Sequence, residues 1–183
     1  MTARSPRVPV LLRQLRAVDL QICRQFNRLN RLVWASRLFG LVSRLGDGPF
    51  WYANMLAMIA VHRTQGVVAV AHMLLVGIVC LMLYKWVKEA TMRIRPFERH
   101  AGILKNVEPL DRYSFPSGHT LHAVAFNYVA ILHFPLWGAA LIGFTLLVAA
   151  SRLVLGLHYP SDVIGGAAIG ATVATASLPL LST

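Results

Sequence analysis

Residues 67–92 read VVAVAHMLLVGIVCLMLYKWVKEATM. The first part of this stretch, Val67 to Tyr84, carries no formal charge. It is as long as the roughly 18–20 apolar residues that cross a bilayer as a helix. At about 1.5 Å per residue the whole stretch is long enough to cross and project beyond the hydrocarbon, so Lys85, Lys88 and Glu89 emerge at one face. Similar apolar segments flank it, at about residues 50–61, 117–133, 136–155 and 160–178. From Tyr113 to Thr183 only Arg152 and Asp162 are formally charged. The pattern predicts an all-α fold, a polytopic bundle of transmembrane helices.

The breaks between segments have local causes. Gly46-Asp47-Gly48-Pro49 is turn chemistry, and residues 62–66 make a tight connection. Pro96 stops any continuation of the long helix. Residues 93–116 form a polar loop, Phe134-Pro135 makes a turn, and residues 156–159 form a further break. Gly166, Gly170 and Ala174 recur every four residues, a stripe suited to close helix packing.

Composition agrees. Of the 183 residues, 56% are hydrophobic and 14% charged, against about 25% charged in soluble domains. Mean hydropathy is +0.57. The net charge of +11 belongs to membrane flanks rather than to a nucleic-acid surface, since no nucleic-acid motif accompanies it. Residues 1–48 hold nine of the eighteen Lys and Arg residues, interleaved with Leu and Val at helical spacing. They predict one or two amphipathic helices at the membrane surface; the alternative is a first span with snorkelling arginines. Arg13 and Arg16 interrupt the early apolar stretch, so no cleaved signal peptide is expected. With Cys80 inside an apolar run, Cys23 and Cys80 do not make a disulfide framework. One domain is expected over residues 1–183, with the basic segment at 1–48 and the transmembrane core at 49–183.

Counting crossings brings three polar patches to one membrane face. The first is KEATMRIRP, residues 88–96, in which Lys88 and Arg95 stand seven apart and can share a helical face. The second is PSGH, residues 116–119. Ser117 is a good N-cap, Gly118 lets backbone N–H groups approach an anion, and His119 falls in the first turn. His122, one turn on, suits packing or hydrogen bonding. The third is SRLVLGLHYPSD, residues 151–162. An Arg in an apolar span is costly unless it is paired or lies near the surface, which makes Arg152 a functional candidate. Asp162, four residues after His158, can hold the far N–H of its imidazole and leave the other nitrogen free as a nucleophile. Read singly, each patch has a plainer account: a basic flank, a helix start, a capping pair.

Taken together, Lys88 with six residues before Arg95-Pro96, then PSGH, then Ser151-Arg152 with five residues before His158 and three more before Asp162, resemble the type 2 phosphatidic acid phosphatase family. The resemblance covers about residues 50–180. It implies an integral membrane lipid phosphatase working through a phosphohistidine. In that reading His158 attacks phosphorus and Asp162 orients it. His119 protonates the leaving oxygen and later activates water. Lys88, Arg95, Arg152, Ser117 and Gly118 bind the phosphoryl oxygens. No cofactor and no metal are expected: fixed cations and a helix N-terminus supply the charge, and the sequence has no paired carboxylates or zinc spacing.

The expected partners are a lipid phosphate and the bilayer, not nucleic acid. Small bacterial relatives point to undecaprenyl pyrophosphate, with phosphatidylglycerophosphate, phosphatidic acid and lipid A phosphates as competitors. Other readings are an ion or lipid transporter, a vanadate-type haloperoxidase and a non-catalytic lipid binder. The resemblance implies the bacterial cytoplasmic membrane and an outward-facing site. Five spans set the basic N-terminus on the side of the site, against the positive-inside rule; a sixth span at residues 29–46 would reconcile the two.

Overall fold

The computed structural model describes residues 10–181, so Arg4 and Arg7 lie outside the described residues. Among those described there is no strand. Helix α1 spans Val10–Asn27 and leads through a short 3-10 turn into α2, Val33–Gly46. Helix α3 spans Pro49–Thr91, α4 Pro96–Arg99, α5 Gly118–His133, α6 Pro135–Val154 and α7 Pro160–Ala176. Pro opens α3, α4, α6 and α7, where its missing N–H costs no helical bond.

Helix α3 is a hairpin rather than one rod. Arg63 alone leaves helical geometry, at φ 51° and ψ −122°. The chain reverses there so tightly that a Cβ on Gly66 would collide with the backbone carbonyl of Met58. The two arms, residues 49–62 and 64–91, run in opposite directions against α5. In the first arm Trp51 meets Phe126 and His62 stacks on Phe134, with ring centroids 5.6 and 3.8 Å apart. In the second arm His72 Nδ1 lies 3.1 Å from His133 Nε2, and Tyr84 packs beside Gly118. Helix α7 runs alongside α5 in the same direction. Its small-residue stripe does what the spacing predicts: a Cβ on Gly166 would sit 2.5 Å from the Ser117 carbonyl, and Gly170 presses on that of Leu121. In lipid such close backbone approach, rather than hydrophobic burial, holds helices together.

Five helical segments thus make the bundle, the two arms of α3, then α5, α6 and α7, and by length and composition α3 and α6 stand out among the described residues as long and apolar enough to cross a membrane. Helix α2 does not add a sixth crossing. Near its start Ser36 accepts a bond from Asn106 of the loop (2.7 Å), and at its end Gly46 packs on Val148 of α6. Both ends lie at the end of the bundle where Lys88 and Arg152 emerge. The core is built on Trp51, Met58, Met73, Leu121 and Val148. Outward-facing Leu56, Val68, Leu136, Leu146 and Ile164 leave an apolar belt for lipid.

Candidate active site

Lys88 lies in the last turn of α3, but Arg95 does not share its helix. The helix stops at Thr91 and Met92 turns left-handed, at φ 44°. Pro96 opens the short α4 instead of ending the long helix. The two cations meet through the loop. Asp111 Oδ1 accepts from Lys88 Nζ and from Arg95 Nη2, each at 2.8 Å. Burial alone would push the Asp111 carboxyl up, but the bonds and charges of Lys88 and Arg95 override it and hold it below the usual carboxylate range. Arg95 also donates to the Leu157 carbonyl at 2.7 Å. Arg152, in the last turn of α6, is 2% exposed. Its guanidinium donates to the Ser43 hydroxyl, while its Nε is buried without a hydrogen bond. No carboxylate among the described residues pairs with it directly.

His158 sits in the connection between α6 and α7. Gly156, at φ 69°, makes that turn possible; a Cβ there would stand 2.6 Å from Ile103 and 2.8 Å from the Leu104 carbonyl. The N–H groups of Leu157 and His158 both return to the Arg152 carbonyl, at 3.1 and 3.2 Å. His158 is 1% exposed. Arg95 Nη1 lies 3.3 Å from its Nε2. A guanidinium can only donate, so Nε2 offers a lone pair and Nδ1 carries the proton. Burial first, then the charges of Arg95, Arg152, Lys88 and His119, hold the ring well below its ordinary pKa and keep it neutral.

Nδ1 faces Asp162 Oδ2 at 3.6 Å and has no closer partner. That is longer than a hydrogen bond, because the carboxylate is engaged elsewhere. Oδ1 takes Arg93 Nη1 at 2.6 Å; Oδ2 takes the Tyr159 N–H at 2.7 Å and the Ser114 hydroxyl.

Ser117 occupies the N-cap of α5, yet its side chain makes no capping bond. The hydroxyl turns to Thr120 Oγ1 at 3.0 Å, and the backbone N–H donates to the Asp162 carbonyl at 3.0 Å. The helical ladder begins with Leu121, so the N–H groups of Gly118, His119 and Thr120 point out of the helix end. His119 Nε2 faces the Asp47 carboxylate. His122 is held as a packing residue, with Nδ1 2.9 Å from the Gly118 carbonyl. The sequence-predicted residues thus gather at one end of the bundle, but through partners that sequence reasoning passed over: Asp111, Arg93, Ser114, Asp47, Ser43 and Asp19. Asp19 did carry a signal, as the only acidic residue among residues 1–46.

A cavity of about 350 Å³ opens beside His119. Asp47 and Asp111 lie at its polar end, and Met55, Leu74 and Ile78 line the part between the arms of α3.

The sequence profile of the family described as PAP2 superfamily matches residues 65–183. The chain is similar to a lipid A 1-phosphatase of Rhizobium johnstonii, 36% identical over 94 residues, covering 49% of this chain and 38% of that protein. It is also similar to an undecaprenyl-diphosphatase of Sulfolobus acidocaldarius, 28% identical over 158 residues, covering 84% of this chain and 74% of the relative. The chain spans about two fifths of the length of the first curated relatives it matches. In fold it resembles the crystal structure of a transmembrane PAP2-type phosphatidylglycerolphosphate phosphatase from Bacillus subtilis, with a TM-score of 0.73 at 24% identity, covering 92% of this chain and 87% of that one.

Proposed function

The chain belongs to the PAP2 superfamily, and we propose that it is an integral membrane lipid phosphatase that works through a phosphohistidine. The observation that carries this reading is the state of His158: a buried, neutral imidazole whose free Nε2 faces a guanidinium that can itself hold a phosphoryl oxygen. Lys88, Arg95 and Arg152 bind the three oxygens of the phosphoryl group, with the Ser117 hydroxyl and the N–H groups at the start of α5. Phosphate displaces Asp111 from Lys88 and Arg95. His158 Nε2 attacks the terminal phosphorus, its P–O bond to the lipid, or in a pyrophosphate to the lipid phosphate, breaks, and His119 gives its proton to the departing oxygen. His119 then takes a proton from water, whose oxygen attacks the phosphohistidine and frees inorganic phosphate and His158. Asp162 steadies the imidazolium that forms between the two steps. Phosphoryl transfer asks for this kind of positioning and charge, and here the cations are side chains.

Among substrates we put undecaprenyl pyrophosphate first, hydrolysed to undecaprenyl phosphate on the outer face of the bacterial cytoplasmic membrane. The similarity over 158 residues to an undecaprenyl-diphosphatase and the apolar cavity support it. Phosphatidylglycerophosphate, phosphatidic acid and lipid A phosphates are tested beside it. Purified protein in detergent with EDTA is expected to release phosphate from at least one of the four, and the order of rates names the lipid. Loss of all release on chelation, restored by a divalent metal, would overturn the metal-free mechanism. No release from any lipid, with or without metal, would overturn the phosphatase reading.

Asp47 supports His119 in this scheme by accepting its Nε2–H. An acid is needed most for the alkoxide that leaves a phosphomonoester such as phosphatidic acid or phosphatidylglycerophosphate, less for the lipid phosphate that leaves a pyrophosphate, and hardly at all for nitrophenolate. Asp47→Asn is therefore expected to slow turnover of the lipid phosphomonoesters by about ten- to a hundredfold, while the initial burst of nitrophenol from p-nitrophenyl phosphate persists. Equal loss on both substrates would remove Asp47 from acid catalysis.

A further inference from the structure

Helix α1 grips the nucleophile's loop at three points on one face. Asp19, Cys23 and Asn27 stand four residues apart, so they line up along the helix. Each reaches one residue of residues 154–162. Asn27 Nδ2 donates to the Val154 carbonyl at 2.9 Å, and the Cys23 thiol approaches the His158 carbonyl at 3.8 Å. Burial, then the nearby Asp19 and Asp162 carboxylates, push that thiol up to about 12, so it stays a donor. Asp19, 8% exposed, makes the strongest grip. Its Oδ1 accepts the Ser161 N–H at 2.9 Å, and its Oδ2 accepts from Arg93 Nη2 at 2.6 Å and from the Ser161 hydroxyl. The other arm of the same guanidinium holds Asp162. A chain of hydrogen bonds thus runs from the surface helix through Asp19 and Arg93 to Asp162, whose Oδ2 faces His158 Nδ1 at 3.6 Å.

The rest of α1 faces outward in two strips. Leu15, Val18, Phe26 and, just past the helix, Leu29 are exposed along one side. Arg13 and Arg24 and, in the turn just past the helix, Arg28 and Arg31 are exposed on the other, with Asp19 turned inward away from them. An apolar strip beside an arginine strip fits an anionic lipid surface, with the helix lying in the headgroup plane.

We propose that α1 is a strap, held by the anionic bilayer surface, that positions the His158–Asp162 pair, with Asp19 as the positioning residue. Arg93 shared between two carboxylates leaves Asp162 enough charge to support the imidazolium. Without Asp19 the whole guanidinium charge leans on Asp162, and the Ser161 N–H and hydroxyl lose their acceptor. The effect falls on the chemical step rather than on phosphate binding, because neither Asp19 nor Arg93 is among the groups proposed to bind the phosphoryl oxygens. This inference rests on the lipid phosphatase reading for its kinetic consequence and on geometry alone for its structural one.

The test uses the full chain in nanodiscs of phosphatidylcholine, with or without phosphatidylglycerol, and a short-chain lipid phosphate that dissolves freely. Asp19→Asn is expected to lower kcat about ten- to a hundredfold with KM within about twofold, and Asp19→Glu to recover part of the loss. Wild-type kcat is expected to rise with phosphatidylglycerol, and that of Asp19→Asn to stay flat. Hydrogen exchange supplies a readout that needs no activity. Amides at residues 157–162 are expected to exchange faster in Asp19→Asn, and in the wild type without anionic lipid. Unchanged exchange at residues 157–162 in the variant overturns the strap whatever the enzyme does. Faster exchange with unchanged kcat overturns its role in positioning the nucleophile. Equal kcat in both bilayers overturns the bilayer as what holds it. A wild type that turns over nothing, with the exchange pattern as expected, leaves the strap standing and overturns the phosphatase reading instead.

Discussion

His158→Ala is expected to end phosphate release, by at least about ten-thousandfold, while the protein still inserts, purifies and unfolds as the wild type does. The loss is large because His158 is the imidazole set with a free lone pair beside the phosphoryl-binding Arg95. His119 faces Asp47, and the cations around the site have no lone pair to give. The fold tolerates the change because the turn is held by backbone: the His158 N–H still reaches the Arg152 carbonyl, and Arg95 keeps its bonds to Leu157 and Asp111. In the wild type the neutral ring is ready to attack, so the acid limb of kcat/KM is expected below the ordinary imidazole range. Rapid acid-free denaturation during turnover of a labelled substrate should trap phosphate on the wild-type protein through a bond that survives alkali and breaks in acid, as a P–N bond does. His158→Ala should trap none. Turnover near the wild-type rate in this variant would remove His158 as the nucleophile.

The parts of this molecule that were legible in its sequence are those written in periodicity. The apolar segments appear where the helices are, because a lipid-facing helix must satisfy its backbone internally and coat itself with apolar side chains. The reversal near Arg63 was readable from a five-residue polar break, and the Gly166-Gly170-Ala174 contact from its spacing. Counting crossings was enough to bring Lys88, Ser117, Arg152 and His158 to one end. What stayed illegible are the pairings made by loops. Lys88 and Arg95 meet on Asp111, which stands sixteen residues beyond Arg95 in an irregular segment. The Asp47 of a turn finds His119, and Asp19 finds Arg93 and Ser161 across the chain. Such contacts depend on where a loop lies, and no period encodes that. Ser117 shows the converse: it stands at the N-cap its type fits, but its hydroxyl turns to Thr120 Oγ1 instead of capping the helix.

Arg152→Met is expected to separate function from stability. A guanidinium that is 2% exposed, bonded to a neutral hydroxyl and with a free buried Nε, is a costly thing to fold around. Buried charges of this kind are commonly replaced by apolar side chains of similar volume with no loss of stability, or with a gain of about 1–4 kcal/mol. The cost makes sense if a dianion completes the site, since a charge that waits desolvated needs little reorganisation when phosphate and then the transition state arrive. The variant should therefore lose about a hundred- to ten-thousandfold in kcat/KM and should no longer bind vanadate. Its unfolding midpoint without ligand should match or exceed that of the wild type. Vanadate should raise the wild-type midpoint and leave the variant's unchanged. Arg152→Lys should recover little, because a single ammonium cannot bond Ser43 and two phosphoryl oxygens with the spread of a guanidinium. A variant that lost stability in step with activity would make Arg152 a structural residue. One that still bound vanadate as the wild type does would leave Lys88 and Arg95 as the cations that hold phosphate.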